Sequence, residues 1–405
     1  MTDLPQTAQT GDEGQRDGQS GTATDRERQT NRRRFLAGAV AAGTASIAGC
    51  AGLSSDENGD GEDTQWELSD FRGSGPLVAD RAAPGGTSIS DLPPLEGELS
   101  FYLGGGEGGL YLELIERFEE IYGDFTFDHT IDSSSQLSNR ITEEVEAGAS
   151  QADLFLAVDA GSLGNVAEND AAQSLSDEVV GDVPEQLRAD TWVGFAGRAR
   201  AVPFNTEQLN RSDVPDTVQE FPDTEAFQDS IGWAPTYGAF QSFVTAMRLL
   251  RGEDETRAWL TDMQDAGVEA FPDEFRVSNE VANGALAGGL ANHYYALRVR
   301  NARGNAPVDL AFTSGDAGAL INVSGAQLIE GASDVELAET FIRHLLSAEA
   351  QEFFATRTFA YPTVPGVEPV ADLPSIEELN PPDVDLTELA DTGPTLDLLD
   401  ETGIL

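Results

Sequence analysis

From about Glu98 onward the chain switches repeatedly between two hydrophobic periods. "ELSFYL" is a short apolar run, the turn "GGGEGG" ends it, and in "LYLELIERFEEIY" Leu110, Leu114, Phe118 and Ile121 recur at the spacing of one helix face. "DFTFDHTI" then alternates, with Phe125, Phe127, His129 and Ile131 on one side and Thr126, Asp128 and Thr130 on the other, which predicts a strand. "SSSQLSNRITEEVEAG" opens on serines able to cap a helix, and "ADLFLAVD" is apolar enough for a strand covered on both faces. Strand, helix, strand, helix, strand is the order of an α/β domain with right-handed crossovers. About 300 residues remain from Glu98 to the end, enough for two such domains. Ligands of open α/β sheets bind at the carboxyl ends of the strands, here the turn 104–109 and "DAGSLG".

Residues 1–29 hold almost no large apolar side chain and cannot bury enough surface to offset the cost of ordering. "TNRRRFLAGAVAAGTASIAGC" follows, with adjacent arginines before a mild apolar run. This reads as a twin-arginine export signal. The run from Phe35 to Gly49 is 15 residues, short of the roughly 20 that a spanning helix needs. Cys50 is the single cysteine, so no intramolecular disulfide can form, and "IAGC" resembles a lipobox in which that cysteine carries lipid. The acidic, glycine-rich stretch after it suits a tether. Residues 1–49 are thus expected to be leader and signal, and 50–96 a flexible acidic tether.

The net charge is −49, all 23 basic residues are arginine, and the acids are spread along the chain rather than gathered in a tail. Such self-repulsion is tolerable where salt shortens the screening length to about 3 Å, near 1 M, and the pattern resembles that of haloarchaeal proteins. No basic patch exists to displace counterions from nucleic acid, so that partner class is excluded. Gly104, Gly106 and Gly109 satisfy G-x-G-x-x-G between a strand and a helix. An exported protein has little access to a cytosolic dinucleotide, so the glycines are read as allowing close approach to a ligand or a neighbouring lobe. His129 and His344 are expected to pack on apolar faces.

Several stretches together resemble the iron(III)-binding, substrate-binding components of ABC importers, in the type II periplasmic-binding-protein class. They are "ADLFLAVDAGSLG", "WVGFAGRARAVPFNT", "IGWAPTYGAFQSFVTAMRLLRG", "ANHYYALR", "GALINVSGAQLI", "LLSAEAQEFFA" and "YPTVPGVEP". The resemblance implies two α/β lobes, 97–203 and 204–311, with 312–405 returning to the first lobe. Hinge strands near Ala199–Phe204 and Leu310–Thr313 would let the lobes close on a ligand. It implies iron ligation by Tyr294 and Tyr295, with Tyr237, Glu107 and Asp159 as further candidate ligands. Asn292 and Gly238 match positions that hold a synergistic anion such as phosphate or carbonate. His293 is either a supporting group or exposed, and Arg198 and Arg200 either neutralise the anion or pair with carboxylates. Taken alone, the tyrosine pair reads as packing, and Asp159 equally as a helix N-cap. The implied chemistry is coherent, because Fe³⁺ is a hard cation that prefers anionic oxygen and itself supplies the charge that ionises a phenol.

The resemblance further implies a monomer on the outer face of the membrane, held there through Cys50, that serves a permease and an ATPase on separate chains. The competing reading keeps the fold and changes the ligand to an oxyanion or small organic solute. An exported hydrolase has neither G-x-S-x-G nor H-E-x-x-H to support it, so no enzyme activity is expected. Cys50→Ser should release the protein from membranes into the medium, measured by fractionating cells and blotting both fractions; unchanged retention would reject the anchor.

Overall fold

The computed structural model describes residues 66–105 and 108–405. The arginine signal, Cys50 and Glu107 lie outside the described residues. Among the described residues no helix is long and apolar enough to cross a membrane.

The predicted βαβαβ opening is present. Strands Gly97–Gly104, Phe125–Asp132 and Leu154–Ala157 are joined by helices Gly108–Ile121 and Ser134–Glu146, and the first strand pairs in parallel with both others. Ser133 caps the second helix by accepting from the Gln136 N–H at 3.3 Å. Gly104 answers a close approach, since a Cβ there would lie 2.3 Å from Ser134 Oγ and 3.0 Å from Val158 N. Gly109 faces open space, so the three spaced glycines do not share one purpose.

Beyond these strands the sheet continues through Ile321–Leu328 to Trp192–Asn205, both antiparallel, and on to Gly288–Gly289, Ile231–Trp233 and Glu269–Ala270. Trp192–Asn205 serves two neighbourhoods. Its first half, Trp192–Ala199, pairs with Ile321–Gln327, and its last residues, Val202–Asn205, pair with Val308–Ala311. The buried apolar side chains divide in the same way. One cluster gathers around Phe101, Phe118, Phe155, Phe195 and Phe341, a second around Phe204, Trp233, Phe240, Phe243 and Trp259, and a third joins Ala201, Leu297, Leu310 and Phe359 to Tyr294 and Tyr295.

Four expectations change. Leu110 is 42% exposed while Tyr111, Leu114, Ile115 and Phe118 are buried, so the packed helix face keeps Leu114 and Phe118 and takes in Tyr111 and Ile115 instead of Leu110. His129 is exposed rather than packed, and Ile131 is 44% exposed, because Phe125–Asp132 is the edge strand and only its first half is covered. Residues 66–96 are not tether: Phe71, Val78, Ile89 and Leu95 are buried, and Arg72 and Arg81 converge on the fully buried carboxylate of Glu352 at 2.7 and 2.9 Å. The C-terminal helix Gly393–Glu401 also packs away from the first cluster, placing Leu398 and Leu399 in the second.

His344 is packed as expected. Its Nδ1 lies 2.8 Å from Thr340 O and its Nε2 2.9 Å from the Tyr122 hydroxyl, with the rings of Phe118 and Tyr122 edge-on. Burial pushes this imidazole down to about 4 and the Tyr122 phenol up to about 12. The folded state therefore holds His344 neutral where the unfolded chain would protonate it. Its contribution is intact above about pH 6.5, shrinks as the pH falls, and stops changing below about 4. His344→Gln should remove about 2 kcal/mol of the stability lost between about pH 7 and about pH 5, read from urea unfolding at constant high salt.

Candidate functional site

A cavity of about 850 Å³ opens at the carboxyl ends of the first strands, where the Trp192–Asn205 strand passes between the two sheet neighbourhoods. One wall is hydroxyl- and amide-rich: Ser133, Ser134, Ser138, Ser162 and Asn165 come from the first two turns of helices Ser134–Glu146 and Ala160–Glu168 and the residue before the first of them. The facing wall carries Tyr237, Gly238, Asn292 and Tyr294. Arg198 and Arg200 lie along the strand between them.

Each residue on the tyrosine wall is set by a helix start. Tyr237 occupies the N-cap position of Gly238–Arg251, directly after the buried strand Ile231–Trp233, and Gly238 presents open space to the cavity. Asn292 ends a two-residue strand paired to Arg200 and Ala201 and begins the helix His293–Arg303. Tyr294 and Tyr295 fall in that helix's first turn, both buried, with ring centroids 4.3 Å apart. The guanidinium of Arg298, one turn on, lies 4.8 Å from the Tyr294 ring centre and 5.5 Å from that of Tyr295. The hydroxyls of Tyr237 and Tyr295 are hydrogen-bonded to each other, and Asn292 Nδ2 donates to the Tyr294 hydroxyl at 3.3 Å.

The chain has seven tyrosines, and their environments separate them. Tyr102 bonds to Glu144, Tyr111 to Ser324 and Tyr122 to His344, and Tyr361 is sealed in the first core cluster. The remaining three cluster at the cavity: Tyr237 and Tyr294 line it, and Tyr295 packs against Tyr294 and bonds to the Tyr237 hydroxyl.

Beneath them is a buried ion pair that sequence reading missed. Glu274 accepts from Arg200 Nη1 through Oε1 and from the Asn292 backbone N–H through Oε2, the latter at 2.8 Å. Arg200 thus pairs with a carboxylate, one of its two expected roles. Its Nη2 is buried and has no partner among the described residues. Arg198 donates to Val158 O, tying the strand to the end of Leu154–Ala157. Asp159 caps helix Ala160–Glu168, accepting from Ser162 N at 2.8 Å and Ser162 Oγ at 3.1 Å, so the capping alternative is realised while the residue still borders the cavity.

His293 is fully buried, which removes the reading that left it exposed. Nε2 lies 2.8 Å from Phe359 O and Nδ1 accepts from Ala199 N–H at 3.2 Å, which assigns the proton to Nε2. Burial pushes its protonation down to about 4. His293 is a neutral support that joins the tyrosine helix to the central strand. The serine wall was legible in principle, since "SSSQLSN" follows a strand and starts a helix, where backbone N–H groups favour anions. Glu274 was not, being one of 72 acids.

This α/β body, with its polar cleft at the strand ends, has the type II periplasmic-binding fold, which solved ferric-binding proteins share. The chain belongs to the bacterial extracellular solute-binding protein family, whose model it matches over residues 149–386. It is 28% identical over 277 residues to the major ferric iron-binding protein of Neisseria meningitidis, covering 66% of this chain and 82% of that one. Iron uptake protein A2 of Synechocystis is 30% identical over 253 residues, covering 58% and 71%. Among solved structures, iron-bound HitA from Pseudomonas aeruginosa superposes with a TM-score of 0.66 at 25% identity over 76% of this chain and 99% of that one.

Removing one partner of a buried ion pair leaves the other charge uncompensated. Glu274→Ala should therefore cost about 3 to 5 kcal/mol by denaturant unfolding, whereas the apolar double replacement Arg200→Met, Glu274→Leu should cost far less. Equal losses would show that the pair itself, not the stranded arginine, sets the stability.

Proposed function

We propose that this chain captures ferric iron in the cavity, outside the cytoplasm, and presents it to an ABC permease whose ATPase is a separate chain. The observation that carries this reading is the clustering of Tyr237, Tyr294 and Tyr295, the first two lining the cavity and the third hydrogen-bonded to Tyr237 behind them, while the other four tyrosines serve the core. Phenolates suit a trivalent hard cation, and among the described residues no group of three or more His, Cys, Asp or Glu side chains is placed to hold a metal instead. The relatives named above as ferric iron-binding and iron-uptake proteins support the same cargo.

In this reading Tyr294, Tyr295 and Tyr237 are the principal ligands. Asp159, which borders the cavity, and Glu107, which lies outside the described residues, are further candidates. Gly238 and Asn292 bind an accompanying phosphate or carbonate, and the buried Nη2 of Arg200 supplies positive charge beside it. The lobes close about the shared strand, and ligation from both walls stabilises the closed form by its differential affinity. Cys50 lipidation after twin-arginine export holds a monomer at the membrane, and the acidic surface adapts it to salt.

The size and polarity of the cavity favour one second reading, in which the same fold takes an oxyanion or small organic solute. About 850 Å³ is far more than a bare ion fills.

Iron bound by phenolate gives a visible charge-transfer band, so ferric loading should colour the protein. Tyr294→Phe with Tyr295→Phe should abolish the band and most of the affinity. Each phenol ionised on binding releases a proton, so the affinity should fall about tenfold per pH unit of acidification for each proton released. A colourless wild type that binds phosphate or citrate as tightly as the double variant does would favour the second reading.

A further inference from the structure

The cavity has a third wall, which comes from the end of the chain. Leu389, Ala390 and Thr392 line it opposite Gly161 and beside Tyr237 and Gly238. The short helix Leu386–Ala390 lies directly on helix Ala160–Glu168, and two glycines one turn apart make room for it. A Cβ on Gly161 would come within 2.9 Å of the Ala390 backbone and Cβ, and one on Gly164 within 2.5 Å of Thr387 Cβ. The chain then crosses to the other core. Leu389 is buried in the second hydrophobic cluster, and Leu386 packs against both the first and the second.

The two ends of this crossing are held differently. Helix Gly393–Glu401 is fastened by buried Leu398 and Leu399, and by Thr395, whose hydroxyl bonds to that of Thr245 at 2.7 Å and accepts from Arg248 Nη1 at 3.0 Å. Arg257 pairs with Glu401 at 2.8 Å. The grip on helix Ala160–Glu168 is by contrast a fit of Thr387 and Ala390 against glycine, with half-buried Leu386 at the edge of the first cluster.

We propose that residues 386–392 form a strap across the cleft that restrains its opening. The strap stays with the second cluster and peels from Gly161 and Gly164 when the cleft widens to exchange ligand. This rests on the lobe-closure reading above. A contact present only in the closed arrangement raises the closed population by its own free energy, so losing it shifts the protein towards the open form and speeds release.

The test places side chains where the strap lies. Gly161→Leu with Gly164→Leu leaves the second-cluster anchor untouched and replaces helix glycines with a better helix former. The ligand-free double variant should show a larger radius of gyration by X-ray scattering, and iron-loaded variant should lose iron to a chelator about three to ten times faster than wild type. An unchanged radius and release rate would overturn the strap. Hydrogen exchange on the unmodified protein gives a measurement that needs no variant. Amides of 386–392 should gain protection on ferric loading while those of 395–401 stay constant, and an equal response in both segments, or none in 386–392 of an iron-loaded protein, would equally overturn it. If the wild type binds no iron, the cargo assignment fails, and the ligand-free scattering comparison still decides the strap.

Discussion

One carboxylate holds the cavity wall in place. Glu274 reaches from the first turn of helix Glu274–Ala282 to the Arg200 guanidinium on the shared strand and to the Asn292 N–H at the start of the tyrosine helix. Three elements distant in sequence meet on its two oxygens. In a buried setting an ion pair is weak evidence of net stability, because desolvation offsets attraction, but leaving either partner alone is costly. What the pair secures is geometry. Asn292 is pinned from both main chain and side chain, and Tyr294 and Tyr295 follow it by two and three residues, so their rings inherit that placement.

His293 adds a second fastening to the same helix from the opposite direction, through Ala199 and Phe359. It stays neutral there because burial disfavours the charged imidazole. The segment from 292 to 295 therefore combines two residues that fix position with two that the proposed function makes ligands. Adjacent residues in a helix's first turn can divide labour in this way because successive side chains point about 100° apart.

The first sheet and its helices were legible because their apolar periods are long and uninterrupted. Where the pattern misled, burial depended on what lies beside an element rather than on its own period: the alternation at His129 and Ile131 is real, but the strand has no neighbour on its outer side. The two-residue strands Gly288–Gly289 and Ala291–Asn292 are too short to carry a period, yet they place the tyrosine helix. Resemblance singled out Tyr237, Tyr294 and Tyr295, and nothing in their local pattern distinguishes them from core aromatics. Their convergence emerges only when residues 58 apart in sequence, Tyr237 and Tyr295, are brought into hydrogen-bonding contact. Residues 66–96 escaped notice because their apolar side chains are spaced irregularly among glycine and proline, and are collected by the body's surface instead of by an element of their own.

That early segment has a mechanical consequence. Trp66 packs edge-on against Phe71, and Phe71 belongs to the cluster beneath the serine wall. Val78, a few residues on, belongs instead to the cluster of Tyr294 and Tyr295, and Asn301 of the tyrosine helix donates to Ser74 O at 3.3 Å. Any pull transmitted through the amino terminus is therefore shared between the half with the hydroxyl groups and the half with the phenols, and the segment acts as a brace between them.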